Sequence, residues 1–197
     1  KIESEYKSDT SDYFRSYRKH RYGIMKINSR DVGLQHIYEN YLKTEVPEID
    51  NPAYMDLFSE MYKEFLFFYS RTKEGQSVQY LVNRAHDLPA LMDTLMKHQA
   101  VPDKRLAELI ILKEIFDIYT KDYFYKGSLI MILDSIVENP VSLEHSIIAS
   151  GIKSHLTRLR AGERPPEFSL LDMEGDLRKL EDFKGKYVYL NFCTPDN

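Results

Sequence analysis

The chain has 197 residues, 43% hydrophobic and 29% charged; that is apolar enough to bury a core and long enough for one domain and part of a second. A net charge of −4, from 27 Lys and Arg against 31 Asp and Glu, excludes the positive field of a general nucleic-acid binder, so no nucleic-acid partner is expected. One cysteine, Cys193, excludes an internal disulfide framework and a Cys-rich zinc site, and no apolar run approaches the ~20 residues that span a bilayer.

The chain opens on Lys1-Ile2-Glu3, which is expected of a processing site or a cloning boundary, with an export signal removed. From Ser11 to Leu159 the hydrophobic period is helical. Spacing predicts helices over Ser11 to Lys26 and Val32 to Leu42, the second preceded by Asp31. After the breaker Asn51-Pro52, a stripe of Leu57, Phe58, Met61, Tyr62, Phe65, Leu66 and Tyr69 recurs every three or four residues and predicts one helix facing a core. Helices follow over Ser77 to His86 and, after Asp87, over Pro89 to Lys97.

Beyond Pro102-Asp103, Leu106, Leu109, Ile110, Ile115, Phe116 and Tyr119 are expected inward, with Lys104, Arg105, Glu108, Lys113, Glu114 and Asp117 mostly outward. Residues 127 to 138 are apolar almost all round, the pattern of a central helix, and Asn139-Pro140 stops them. Ser142, with Glu144 and His145, is expected to cap a last helix reaching Leu159. About eight helices result, and no period of 20 to 50 residues marks a repeat.

At Arg160-Ala161-Gly162-Glu163-Arg164-Pro165-Pro166 two prolines and a glycine end the helical pattern. The expected division is a helical domain over 1–160, a linker over 161–166 and a short β segment over 167–197. In the last, Phe168 to Asp172 reads as a strand, Met173 to Asp176 as a turn, Leu180 to Phe183 as a helical turn and Lys186 to Phe192 as a second strand.

The run Gly162-Glu163-Arg164-Pro165-Pro166-Glu167-Phe168-Ser169-Leu170-Leu171-Asp172-Met173-Glu174-Gly175, followed by Leu180-Glu181-Asp182-Phe183-Lys184-Gly185-Lys186-Tyr187-Val188-Tyr189-Leu190-Asn191-Phe192, resembles the opening of thioredoxin-like redoxin domains, the group of TlpA-like thiol-disulfide oxidoreductases and AhpC-TSA-like peroxiredoxin relatives. The resemblance covers about a fifth of the chain. It implies a mainly α fold whose β segment is the truncated start of a thioredoxin-like α/β fold, in a bacterial protein of the periplasm or cell envelope. In that family a W-A-x-W-C-x-x-C motif follows the strand, and a helix N-terminus lowers the first thiol's pKa. Here Cys193 takes the tryptophan position and Asn197 that of the first cysteine. The chain lacks the dithiol and is expected to be inactive in two-thiol chemistry, whereas the parent protein would exchange thiols and disulfides. The rival expectation is a non-enzymatic helical interaction module whose redoxin-like domain is degenerate.

Cys193 is a weak candidate for catalysis, since it follows an apolar strand with no Lys, Arg or His beside it to stabilise a thiolate. The basic stretch Phe14 to Arg30, with Arg15, Arg18, Lys19, Arg21 and Lys26, reads as a solvated face paired with acidic neighbours rather than as an anion site. A second cluster, Lys153, His155, Arg158, Arg160 and Arg164, lies before the β segment and suits contact with the rest of a redoxin domain. Six dispersed histidines, at 20, 36, 86, 98, 145 and 155, form no metal-ligand spacing and are expected at the surface or at caps. No catalytic residue, cofactor or metal is assigned within the chain. The expected partners are protein clients or the remaining redoxin domain, with a second copy pairing through the exposed strand 186–192.

Overall fold

The computed structural model describes residues 11–29, 32–44, 46–158, 161–162 and 164–191. They are mainly helical, with a short two-stranded sheet near the C-terminal end. The chain divides into two compact units, residues 1–156 and 157–197, and the division falls in the last turn of the last helix.

The first unit begins with α1, Asp12–Ser29, and α2, Leu34–Ile37, which widens into a π turn over Tyr38–Leu42. Helix α3, Pro52–Met61, starts where sequence placed a breaker: Asn51 accepts hydrogen bonds from the amides of Ala53 and Tyr54, and Pro52 occupies a position whose N–H has no helical partner. Gly23 lets α1 come close to α3 and to Tyr41, since a Cβ built there meets Leu57 Cδ2 at 2.6 Å and Tyr41 Cβ at 2.8 Å.

The expected continuous stripe from Leu57 to Tyr69 is broken. Helix α3 ends at Met61, Glu64 turns left-handed at φ 54°, and α4 restarts over Phe65–Tyr69. The reason lies across the core, on α7, Lys104–Ile118. Lys113 donates to the Tyr62 carbonyl at 2.9 Å, and Glu114 accepts from the Leu66 amide at 3.0 Å. One side chain thus meets a loose carbonyl at the end of α3 and the next a loose amide at the start of α4. Lys113 also pairs with Glu114 at 2.9 Å and with Asp117 at 3.0 Å. Local periodicity cannot report a break stabilised by residues about fifty positions away.

The same contacts correct the facing of α7. Glu108 and Glu114, expected outward, are wholly buried, while Phe116, expected inward, is 49% exposed. Leu106, Leu109, Ile110 and Ile115 are buried as expected. Between α4 and α7 run α5, Val78–Tyr80, continued by a π turn over Leu81–Ala85, and α6, Leu88–Leu95, which Asp87 caps by accepting from the Ala90 amide at 2.9 Å. Helix α8, Lys126–Glu138, buries Leu129, Ile132, Leu133 and Ile136 and leaves Met131 exposed, and α9, Leu143–Thr157, follows. An aromatic ladder of Tyr54, Phe58, Tyr62, Phe65 and Tyr69 runs through the core with neighbouring centroids 5.1 to 6.3 Å apart. Its polar ends are met: Tyr62 and Tyr69 donate to the carbonyls of Ala100 and Thr94.

The second unit holds β1, Ser169–Leu171, and β2, Leu177–Lys179, antiparallel with Ser169 opposite Lys179. Its turn is organised by Asp172, which accepts from the amides of Glu174 and Asp176 and from the Arg178 guanidinium, while Gly175 supplies φ 87°. These donors, the Asp176 amide and Arg178 foremost, hold the Asp172 carboxyl below the usual range. A 3₁₀ turn over Leu180–Phe183 follows, anchored by Asp182 accepting from the Lys179 amide at 2.8 Å. The strand expected over Lys186 to Phe192 is not formed among the described residues, which end at Asn191: nothing pairs with 186–191, and a strand exists only through a ladder partner. Phe192 and Cys193 lie outside the described residues, as do Arg30, Asp31, Leu159 and Arg160.

Candidate functional site

In the helical unit a cleft of about 380 Å3 is lined by Tyr13 of α1, the segment Val46 to Asn51, Arg105 of α7, and Ser142, Glu144 and His145 at the start of α9. Two His–Glu pairs reach its lining, one wholly buried and one with a partly exposed glutamate. In the first, His20 is wholly buried on α1, with Nδ1 2.6 Å from the Tyr41 carbonyl oxygen and Nε2 3.4 Å from Glu48 Oε2. A carbonyl oxygen only accepts, so Nδ1 carries the hydrogen and Nε2 faces the carboxylate. Ser16, one turn before His20, donates to the same Glu48 oxygen at 2.5 Å, and Asn51 donates to it at 2.8 Å. Burial depresses the His20 pKa, only partly offset by the Tyr41 carbonyl and Glu48. Burial by itself pushes the Glu48 carboxyl up, but the Ser16 and Asn51 hydrogen bonds and His20 outweigh it and leave Glu48 below its ordinary value.

The second pair ties α9 to α7. His145 Nδ1 lies 2.7 Å from Glu108 Oε2, which also accepts from the Val141 amide at 3.0 Å, and both side chains are buried. Glu108 Oε1 meets no partner among the described residues. At the cleft's rim Arg105 stands 3.6 Å from Glu144. Its own amide, with Arg105 nearby, lowers the Glu144 carboxyl, whereas the Ser142 hydroxyl, expected to cap α9, meets no partner among the described residues.

Ser16, His20 and Glu48 contain the residue types of a hydrolytic triad, and their geometry rejects that role. In a triad the acid binds the imidazole nitrogen opposite the serine. Here the serine and the acid share Nε2, a backbone carbonyl holds Nδ1, and the serine hydroxyl is donated to the acid. The cluster acts as a clasp that ties α1 to the segment 41–51. With Glu48, Asp50 and Glu144 around Arg105, the cleft can hold a polar ligand; its lining offers no side-chain thiolate and no phosphate-binding glycine loop.

The sequence expectations divide accordingly. Cys193, the one catalytic candidate, lies outside the described residues. In the basic stretch on α1, Arg15 pairs with Asp12 and Arg21 with Asp56 at 3.3 Å, Arg18 lies over the Phe14 ring and Lys19 donates to the Lys43 carbonyl, while Arg30 lies outside the described residues. In the second cluster Lys153 pairs with Asp134, His155 packs on Phe116 and Arg164 pairs with Glu167. Of the histidines, His20 and His145 are buried in ionisable pairs, which corrects their placing at the surface or at caps. Only the Ser16/His20 spacing on one helix face was available to hint at the first cluster; Glu48 and Glu108 reach their partners through the tertiary fold. Among the described residues no group of three metal-ligating side chains converges, and no helix is long and apolar enough to cross a membrane. Comparison of the chain with protein-family models, curated proteins and solved structures finds no match.

Proposed function

We propose that this chain is the helical portion, with the opening strands of a redoxin domain, of a bacterial envelope thiol-disulfide oxidoreductase of the thioredoxin-like group. The helices position the redoxin domain or hold its protein client. The observation that carries the reading is the order of features after Gly162: Pro165-Pro166, the strand at Ser169–Leu171, the Asp172 and Gly175 turn, the 3₁₀ turn at Leu180–Phe183, Gly185 at φ 82°, and the apolar run Tyr187 to Leu190. That order is the one the resemblance implies.

A second reading rests on Asn197, which stands where the resemblance places the first cysteine: a helical interaction module with a degenerate redoxin-like segment. The codons that follow Asn197 in the gene separate the two. A C-x-x-C motif within about ten residues supports the oxidoreductase. A reading frame that continues without it, or stops, leaves the interaction module. The chain itself should not reduce insulin disulfides with dithiothreitol above background, because exchange needs an attacking and a resolving thiol.

A further inference from the structure

On the helical unit, Phe67 at α4 is the middle of a three-layer stack. Tyr123 lies on it with centroids 3.9 Å apart and planes at 17°, and the Arg71 guanidinium lies 4.0 Å from the same centroid. Two groups at that spacing cannot share one face of a ring, so the arginine and the tyrosine occupy opposite faces. Gln79 donates to the Tyr123 carbonyl, and Asn83 accepts from the Tyr125 amide at 2.8 Å while donating to Gln79. These bonds fasten the strip 123–125 alongside α5 and its π turn, where Tyr80 and Arg84 are one turn apart. The Arg84 guanidinium lies 6.0 Å from the Tyr125 centroid.

Three rings on this face are largely open: Phe68 at 57%, Tyr80 at 63% and Tyr125 at 60% exposure. Three nearby lysines have acidic partners, Lys63 with Glu60, Lys121 with Glu64 and Lys126 with Asp122, while the exposed Lys73 meets neither a carboxylate nor a ring among the described residues. Arg71 and Arg84 differ. Both are exposed, Arg71 stacked on Phe67 and Arg84 over Tyr125 at longer range, and among the described residues neither meets a carboxylate within ion-pair distance. A guanidinium on a ring keeps its edge N–H donors free in a fixed plane, the form that takes a carboxylate through two hydrogen bonds.

We infer that this face docks an extended protein segment bearing carboxylates, with Arg71 and Arg84 taking the acidic side chains and Phe68, Tyr80 and Tyr125 taking the apolar or proline residues between them. Exposed aromatics and arginines are the residue types that concentrate binding energy at interfaces. Glu74 and Asp122, exposed and close in the chain to these groups, confine the positive charge to the two arginines, and the chain's net charge is −4; that suits separate carboxylates on a peptide rather than the unbroken charge of a nucleic acid. The inference does not rest on the redoxin reading, since every residue it uses lies in the first unit.

The test is fluorescence anisotropy with the full chain and a labelled peptide of repeated Glu-Pro-Glu-Tyr, against the same peptide with Lys for Glu and against an oligothymidylate of similar length. Saturable binding of the acidic peptide is expected, weakening several-fold between about 50 and 300 mM salt. The double variant R71Q/R84Q should weaken it about tenfold or more, and Phe68→Ser with Tyr80→Ser by a similar factor. Circular dichroism should show both variants folded with one cooperative transition, lowered by no more than a few degrees in R71Q/R84Q, which loses the guanidinium stacked on Phe67. No saturable binding, equal binding of the lysine peptide, tighter binding of the oligonucleotide, or undiminished binding by a folded R71Q/R84Q would each overturn the inference.

Discussion

Leu66 and Leu171 are the same side chain in opposite circumstances: the first is wholly buried and the second is 71% exposed. Around Leu66 the helical unit supplies α7 as an opposing layer, with Glu114 meeting its amide. Around Leu171 the second unit supplies a single hairpin, and among its described residues from 161 to 191 none is buried. A lone two-stranded sheet has no second layer to cover either face, so its leucines gain little from leaving water. What holds it is polar and local, Asp172 collecting three donors and Asp182 a fourth. The helical unit adds a buried, long-range kind of polar bond: Lys113 and Glu114 reach about fifty positions to the end of α3 and the start of α4.

The sharpest way to break that contrast is Glu114→Ala. It leaves the Leu66 amide without its acceptor and Lys113 with less countercharge in a nearly dry site, a loss of about 3–5 kcal/mol in urea unfolding. A loss under about 1 kcal/mol would show that the break between α3 and α4 needs no support from α7. Because burial raises the Glu114 carboxyl above its ordinary value of 4.5, the folded state binds that proton more tightly than the unfolded chain does. Its contribution is therefore complete below pH 4.5 and declines as pH rises through the folded value. Glu114→Gln keeps an acceptor for Leu66 and should remove that decline.

Gly23→Ala tests the close approach of α1 to α3. The added methyl meets Leu57 and Tyr41 inside contact distance, so overpacking should cost about 1–3 kcal/mol although alanine is the better helix former. The same substitution at Gly151 on α9, where nothing lies within 4 Å, should stabilise by up to about 1 kcal/mol. Equal effects at the two positions would mean that α1 gives way easily, and the clasp on Glu48 with it.

The clasp has a pH signature of its own. Burial lowers the His20 pKa from 6.5, so the unfolded chain takes up the proton first, and stability falls as pH drops from 6.5 through the folded value. Glu48, lowered from 4.5 by Ser16, Asn51 and His20 against the effect of burial, adds a further loss as pH falls below 4.5. Thermal unfolding across pH 4 to 7 should show the upper slope in the parent and not in His20→Asn. A parent whose melting is flat between pH 5 and 6.5 would remove His20 from the clasp.

What could be read in advance follows the range of the interactions. Helix starts were legible because their chemistry is local: Asp87 stands three residues from the amide it caps, and Asn51 two from its first. The apolar face of α3 was legible from period, and α8 was legible as a mostly covered helix from its apolar run, though not that Met131 is exposed. The break at Tyr62 to Glu64, the burial of Glu108 and the clasp of His20 on Glu48 were not, since each depends on residues 28 to 51 positions away. The candidate cleft was therefore almost wholly hidden; of the hairpin, the first strand and the turn, whose bonds are local, were visible, whereas its second strand, Leu177–Lys179, was not assigned.

The smallest expected effect is also the one that decides whether the two regions are energetically separate. If the second unit is held by its own turn bonds, shortening the protein to end at Ala161 removes exposed leucines and tyrosines and leaves the buried cluster from Ile37 to Ala149 untouched. The melting midpoint followed by circular dichroism at 222 nm should then move by no more than about 3 °C, with the transition still cooperative. Light scattering should fall at the same time, because Tyr187 to Leu190 are exposed apolar residues without a ladder partner and invite pairing with another chain. A shortened protein with no cooperative transition would make the tail part of the core, and the contrast between Leu66 and Leu171 would then be one of degree rather than of kind.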